Sequence, residues 1–273
     1  MKNDEDRNND RDNDVRDAEM PEGLGHEKLR VYRRGVDYVT WSQPVLAGIG
    51  QSAVVLDHWA RAAESILENI ANGNSRRSRA DRNQYFDVAI GSALECAACL
   101  DICHRREMIS AGQLVTGKTM LQPIVQMTIK LREAKSTYIR EDTEPYLTGQ
   151  SEVYFAHEAL AAYKEALELV SWFHGFQRYA AIGSGYAKRL DKTTTSVVLN
   201  IAEGNGRFSD AEQRRFLDIA HTCLMRVAAC LDVLVARQQA ESHQIAQGKR
   251  ILARVVPLVL GLRGYLDDSD ARK

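Results

Sequence analysis

Apolar residues recur three and four positions apart along most of the chain, which is the period of an amphipathic α-helix. The clearest apolar stripe follows Ser209 and consists of Phe216, Ile219, Ala220, Cys223, Val227, Cys230, Leu231 and Leu234. No stretch shows a convincing β-strand alternation, and the 273 residues contain only five prolines. The pattern therefore predicts an all-α protein.

The helical pattern occurs twice. Sliding the chain by 131 positions aligns residues 29–135 with residues 160–266 without a gap, and 28 of the 107 aligned positions are identical. The agreement is densest between residues 65 and 101, where the shared strings include Asn69-Ile70-Ala71 with Asn200-Ile201-Ala202 and Ala97-Ala98-Cys99 with Ala228-Ala229-Cys230. So many identities in a gapless alignment indicate a tandem duplication.

Each copy is predicted to contain four helices. The first covers about 28–46 and 152–179, the second 54–72 and 191–203, and the fourth 113–135 and 244–266, with the third between them. Short connections favour an antiparallel up-down arrangement, so we predict two tandem four-helix bundles, each burying its own apolar stripe. The predicted domains are a disordered acidic tail (1–25), a first bundle (26–136), a linker (137–151) and a second bundle (152–267).

Specific residues are expected to define the helix ends. Gly73 and Gly204 are predicted to close the second helices in the left-handed conformation that glycine favours. Ser209-x-x-Glu212 is predicted to open the third helix of the second copy with a capping box, and the counterpart at Ser78 is expected to be weaker.

Charge is distributed unevenly, although the whole chain carries a net charge of only −1. The net charge is −5 over residues 1–28 and −4 over residues 136–159, but +4 over residues 29–135 and +5 over residues 160–266. The polar, acidic start is unlike a signal peptide, and no run of about 18 apolar residues suggests a membrane span. We therefore expect a cytoplasmic protein with no membrane partner.

Two motifs carry a family resemblance. The second copy contains Ser196-x-x-x-Asn200-Ile201-Ala202-Glu203-Gly204-x-Gly206-Arg207, and the first contains Phe86-x-x-Ala89-x-Gly91-Ser92-x-x-Glu95. These motifs resemble the bacterial four helix bundle protein family, also called the 23S rRNA intervening-sequence family. The departures fall at different places in the two copies: Asn72 and Ser75 in the first, and Thr222, Cys223 and Arg226 in the second.

The resemblance implies a protein without catalytic activity, since no member is known to be an enzyme. Members of single length form closed rings of five subunits. A relative, the accessory variability protein of diversity-generating retroelements, forms a basic ring that binds a reverse transcriptase and nucleic acid. Self-association is therefore expected here. A ring of five cannot use both copies of whole tandem chains, because five is odd, so either only one copy enters each ring, five chains build two stacked rings, or the ring number has changed.

Arginines near the turn between the second and third helices are the candidate nucleic-acid-binding residues. They are Arg76, Arg77, Arg79, Arg82, Arg207, Arg214 and Arg215. Guanidinium groups on one exposed edge could bind phosphates without regard to base sequence. The alternative is that Arg76 and Arg207 brace the turn while the others are solvated.

Five further residues are predicted to form a structural motif rather than a ligand site. Asn69 and Asn200 can hydrogen-bond to backbone groups near the helix end, and Glu203 can pair with the nearby arginine. Gly73 and Gly204 complete the motif.

Other chemistry has little support in the sequence. The five cysteines lie in apolar helical stretches and are read as buried packing residues, so no metal site is predicted. No catalytic constellation, cofactor motif or small-molecule substrate is indicated. We interpret the protein as a non-enzymatic accessory or adaptor that binds structured RNA or a reverse transcriptase, with a purely protein–protein oligomeric scaffold as the alternative.

Overall fold

The computed structural model describes residues 24–50, 53–134, 154–180 and 182–270. The described residues form eight α-helices: α1 (Arg30–Gly48), α2 (Val54–Asn74), α3 (Arg79–Arg105), α4 (Ala111–Glu133), α5 (Ala161–Phe176), α6 (Ser184–Asn205), α7 (Asp210–Ala236) and α8 (Ser242–Asp270). Two short 3₁₀ turns, Gly25–Lys28 and Ala156–Ala159, precede α1 and α5. Among these residues there is no β-strand.

Each set of four helices closes into a ring of neighbours. In the first bundle α1 packs against α2 and α4, and α3 packs against α2 and α4; α5 to α8 repeat this arrangement in the second bundle. The prediction of an all-α protein with two antiparallel four-helix bundles is confirmed. The predicted acidic tail lies almost wholly, and the predicted linker entirely, outside the described residues.

The same tryptophan–glycine contact joins the first and fourth helices of both bundles. A Cβ atom added to Gly117 would lie 2.7 Å from the Trp41 ring, and one added to Gly248 would lie 2.4 Å from the Trp172 ring. Only glycine lets the helix backbone approach the indole this closely. The identity of these residues in the two copies therefore has a packing cause.

The two bundles do not bury separate cores, contrary to the expectation. Their buried apolar residues form one continuous cluster, because α3 packs against α5 and α6 of the second bundle as well as against its own neighbours, and α2 also contacts α6. The helix α3 is consequently buried on almost every side along residues 89–103. The apolar stripe of the sequence fixes the inner face of a helix but not the additional face that a second bundle covers.

The glycines of the second helices do not act as left-handed caps, so that prediction was wrong. Both helices continue past them, to Asn74 and Asn205. Gly73 and Gly204 are instead required by packing, because an added Cβ would lie 2.5 Å from Phe86 Cε1 and 2.9 Å from Phe216 Cβ, respectively.

The left-handed residues follow the third helices. Glu107 has a φ of 58° and Gln238, at the aligned position, a φ of 56°. At each end a backbone amide donates back to the helix, from Met108 to Cys103 O and from Gln239 to Leu234 O, both at 2.9 Å. This is the Schellman pattern, formed here without glycine.

The relative strength of the two serine caps was also predicted wrongly. Ser78 Oγ accepts the amide of Asp81 at 3.4 Å, whereas Ser209 makes no side-chain cap bond. A complete capping box occurs instead at Ser110 and Gln113, at the start of α4. Local spacing permitted both boxes, but the position of the chain entering each helix decided which one formed.

One described helix, Asp210–Ala236, is long and apolar enough to cross a membrane by length and composition alone. It is α7, and it packs one face against α6 and α8 in the manner of a core helix. Its other face leaves Ile219, Met225 and Val233 between 36% and 42% exposed.

Candidate functional sites: the bundle interface and a basic corner

One end of the bundle interface is formed by the two sequence motifs. The turn after α6 lies against α3, and a Cβ added to Gly206 would be 2.2 Å from Leu94 Cδ1. A Cβ added to Gly91 would be 3.2 Å from the Arg207 guanidinium and 3.6 Å from Glu203 Cγ. Each motif therefore supplies a glycine that makes room for a side chain of the other bundle.

Arg207 is buried at this contact rather than exposed on an edge. It forms an ion pair with Glu203, its guanidinium lies 4.8 Å from the centre of the Phe216 ring, and its backbone carbonyl accepts Gln213 Nε2 at 2.6 Å. Burial raises the pKa of the Glu203 carboxyl, while Arg207 opposes part of the rise and Glu95 adds to it. The structure thus gives Arg207 a partner within the protein and does not bring it to the surface.

The two motif asparagines brace the second helices from within. Asn69 Nδ2 donates to Ser65 O at 2.7 Å, and Asn200 Nδ2 donates to Ser196 O at the same distance. In the first bundle the network extends to α3, because the hydroxyls of Ser65 and Ser92 are 2.8 Å apart. The second bundle has a cysteine in place of Ser92.

The other end of the interface holds a buried polar cluster. Lys118 Nζ of α4 lies 2.6 Å from Asp101 and 3.0 Å from Glu158, which precedes α5. Tyr163 Oη donates to Asp101 at 2.8 Å. These bonds join the first bundle to the second with the lysine side chain only 6% exposed.

His157 completes this cluster. It is fully buried, and both of its ring nitrogens lack a hydrogen-bond partner in the described part of the chain. Burial, reinforced by the Lys118 ammonium, lowers the pKa of His157 to about 3. Ligand atoms of Asp101, His157 and Glu158 lie within 4.8 Å of one another, as in a metal site. However, the Lys118 ammonium already pairs with both carboxylates, at the place that a metal ion would take.

A third polar contact lies between α3 and α6. Arg106 Nη2 is 2.7 Å from Asp191 Oδ1 and donates to Thr195 Oγ1 at 3.0 Å. The side chains of Arg106 and Asp191 are 4% and 15% exposed. Because neither charge is well hydrated, each depends on the other.

The predicted arginines of the first bundle divide into two groups. Arg82 Nη2 donates to Ala134 O at 2.8 Å, and Arg79 Nη2 donates to Glu133 O at 3.5 Å, so both serve the carboxyl end of α4, where cations are stabilised. Arg76 and Arg77 are exposed. The Arg76 guanidinium stacks on the Tyr85 ring, at 4.7 Å from its centre, and donates to its hydroxyl.

A pocket brings Arg82 together with Arg76 and Arg77 at one corner of the first bundle. We call this the basic corner; it is lined by Gly25, Lys28, Leu29, Asn74, Ser75, Arg76, Arg77, Arg82, Phe86 and Leu131. Four of these side chains are cationic, and among the residues that the structure describes none that lines the pocket is acidic. Lys28 was not identified from the sequence, because it lies far from the arginines along the chain.

The predicted arginines of the second bundle lie elsewhere. Arg214 and Arg215 line a groove on the outer side of α7 and α8, together with Arg226 and Arg263. Arg214 lies 3.3 Å from Asp267, which also contacts Arg263 at 3.2 Å, and Arg263 contacts Asp218 at 2.6 Å. Much of the positive charge in this groove is therefore neutralised by neighbouring carboxylates.

Comparison with known protein families gives one match, which covers both copies. The 23S rRNA-intervening sequence protein family matches residues 27–130 and again residues 158–260. Searches of curated proteins and of solved structures gave no match.

Proposed function

Because the chain belongs to the 23S rRNA-intervening sequence protein family, we propose that it is a non-enzymatic accessory protein that binds structured RNA in the cytoplasm. The contact is made by the basic corner of the first bundle, with phosphates as the ligand groups. No cofactor or small-molecule substrate takes part. The observation that supports this proposal most strongly is a pocket lined by four cations and no carboxylate among the described residues.

The composition of the corner suits phosphate. Arg76 and Arg77 are exposed and can reach a ligand, while Lys28 adds a third exposed cation beside them. Asn74 provides a neutral hydrogen-bond donor at the same pocket. Arginine forks match phosphate oxygens bidentately, and such contacts read the nucleic-acid backbone rather than its bases.

The equivalent corner of the second bundle is part of the contact between the two bundles. There the aligned residues are Gly206, Arg207 and Phe208, and they face the first bundle. In the first bundle the same positions are Ser75, Arg76 and Arg77, and nothing in the described part of the chain covers them in this way. The corner is therefore basic in the copy where, among the described residues, the other bundle does not cover it.

Binding to a short RNA hairpin, followed by fluorescence anisotropy at about 50 and 200 mM salt, tests the proposal. We expect the double variant Arg76→Ala/Arg77→Ala to lose at least about tenfold in affinity and to lower the salt dependence by roughly one to two phosphate contacts. The matched control is Arg214→Ala/Arg215→Ala, which removes two arginines of the outer groove. Absence of binding at low salt, or equal losses in both variants, would contradict the proposed site.

A second candidate is a protein-only scaffold, which the outer face of α7 favours. Ile219, Met225 and Val233 are exposed there, and apolar residues grouped on one helix face are typical of protein contacts. A protein partner such as a reverse transcriptase would use this face and would be insensitive to the Arg76 and Arg77 changes. The anisotropy experiment therefore distinguishes the two candidates.

A further inference from the structure

The contact between the bundles is heterologous, because it uses different faces of the two copies. The first bundle contributes mainly α3, with part of α2 and the Lys118 and Arg132 side chains of α4, whereas the second contributes α5, α6 and the turn after α6. Among the described residues, such a contact leaves a complementary face of each bundle pointing outward: α7 and α8 in the second bundle, and α1 with the carboxyl end of α2 in the first. In principle a further chain could dock on either of these outward faces by repeating the contact.

The side chains on the outward faces do not fit such a repetition. In the existing contact Leu94 fills the space above Gly206. The aligned pair on the outward faces is Met225 and Ser75. Since even a Cβ at Gly206 would lie 2.2 Å from the leucine, the serine Cβ excludes a long side chain at that position.

The neighbouring glycine contact is lost as well. In the existing contact a Cβ at Gly91 would lie 3.2 Å from the Arg207 guanidinium. Gly91 is replaced on α7 by Thr222, so in a repeated contact the Thr222 Cβ would crowd the guanidinium of Arg76, which aligns with Arg207. Glu95, which lies close enough to Glu203 to raise the pKa of its carboxyl, is replaced by Arg226, while Glu203 is replaced by Asn72. Repeating the contact would therefore place Arg226 close to Arg76 with no carboxylate between them.

At a third position an attractive contact would become a repulsive one. In the existing contact the Arg132 guanidinium lies 3.7 Å from the centre of the Phe208 ring. The aligned residues on the outward faces are Arg263 and Arg77. Two guanidinium groups brought together in place of a cation–π contact oppose docking.

Only the opposite end of the contact is preserved outwardly. Lys249 and Asp232 repeat the pair formed by Lys118 and Asp101, at 2.7 Å, but with Asp232 68% exposed. Glu27 and Tyr32 align with Glu158 and Tyr163 in the same way. The outward faces thus retain the residues for the lysine–aspartate end of the contact but have mismatched residues at the end formed by the two motifs.

We infer that the two bundles are specific for each other, so that the chain is a self-contained monomer whose outward faces reject further copies. The mismatched residues are Asn72, Ser75 and Arg77 on the first bundle and Thr222 and Arg226 on the second. This inference does not depend on RNA binding. It differs from the self-association that the family resemblance implies.

Restoring the lost residues gives a direct test by light scattering at about 100 µM. Variant A carries Asn72→Glu/Ser75→Gly/Arg77→Phe, and variant B carries Thr222→Gly/Arg226→Glu. Each variant restores only one outward face, so we expect wild type, A alone and B alone to have the mass of one chain, 30.6 kDa. A mixture of A and B should form a complex of one copy of each.

Circular dichroism and urea unfolding first establish that A and B are folded like the wild type. A wild-type oligomer, whether or not Met225→Asp dissociates it, would overturn the inference that the chain is self-contained. If the wild type is monomeric but the folded variants A and B fail to associate, these five positions are not what prevents docking. Formation of the A–B pair supports both.

Discussion

Helices α3 and α7 are the same helix of the duplicated unit in two environments. Leu94 of α3 is 6% exposed, while Met225 at the aligned position of α7 is 42% exposed. The difference arises from the second bundle, which covers α3 and leaves the outer side of α7 to solvent. The two motif halves are therefore retained where they meet, in α3 and at the end of α6, and differ where they face outward.

The largest effect is expected from breaking the buried pair between the bundles. Arg106→Met leaves Asp191 without its cation, and loss of one partner of a buried pair costs about 3–5 kcal/mol. The aligned Arg237 is exposed, so Arg237→Met should change the free energy of unfolding by less than about 0.5 kcal/mol. Urea denaturation of both variants measures this difference. Equal losses would show that Arg106 does not depend on the second bundle.

His157 should make the protein sensitive to acid. Its pKa of about 3 in the folded state lies below the ordinary value of 6.5, so between these values the unfolded chain binds more protons than the folded one. Stability from this group is complete above about pH 6.5 and is lost as the pH falls toward 3, at up to about 1.4 kcal/mol per pH unit.

The matched variants for this prediction are His157→Phe and His26→Phe. Both histidines make the same edge contact with a tyrosine, at 4.7 Å between ring centres, but only His157 is buried by the other bundle. The difference in unfolding free energy between pH 7 and pH 4.5 should shrink in His157→Phe and remain as in wild type for His26→Phe. An unchanged pH dependence in both would contradict the burial argument.

A smaller effect is expected from filling the glycine at the turn after α6. Gly206→Val would force its side chain into Leu94, and overpacking of this kind costs about 1–3 kcal/mol. Ser75→Val places the same side chain at the aligned, exposed position and should be nearly neutral. Thermal unfolding compares the two variants. A neutral Gly206→Val would mean that the turn can move away from α3.

The smallest effect concerns a feature that the two copies share. Glu107→Gly and Gln238→Gly remove a side chain from a left-handed residue and should each raise the stability by up to about 1 kcal/mol. The two increments should be similar, since the backbone geometry is the same in both copies. Destabilisation in either variant, measured by urea denaturation, would argue for a contact made by that side chain.

The sequence predicted the helices and their duplication because both follow from the spacing of apolar residues, as in the stripe from Phe216 to Leu234. It did not predict the burial of Arg207 or the role of Lys118, because both depend on which faces of the bundles meet. The sequence nevertheless contains a sign of the contact between the bundles. Glu203 and Gly206 persist in one copy and Gly91 and Glu95 in the other, which is the pattern left by a contact used in only one direction.

The helix-end errors have a related cause. Spacing alone gave Ser209 and Ser78 comparable capping motifs, but a side chain forms a cap only when the incoming backbone positions it. Gly73 and Gly204 are indeed constrained to be glycine, but because α3 and α7 approach them closely and not because they adopt a left-handed turn. Contacts between helices decided both cases.

Covalent linkage of the two bundles has a thermodynamic consequence. Docking partners encoded in one polypeptide meet at an effective concentration in the millimolar range, independent of how much protein the cell makes. A contact with an intrinsic Kd of about 10 µM between separate bundles would then be about 99% formed within the chain. The interface built around Gly206 and Leu94 can therefore be weak by the standard of free subunits and still remain closed at the lowest expression level.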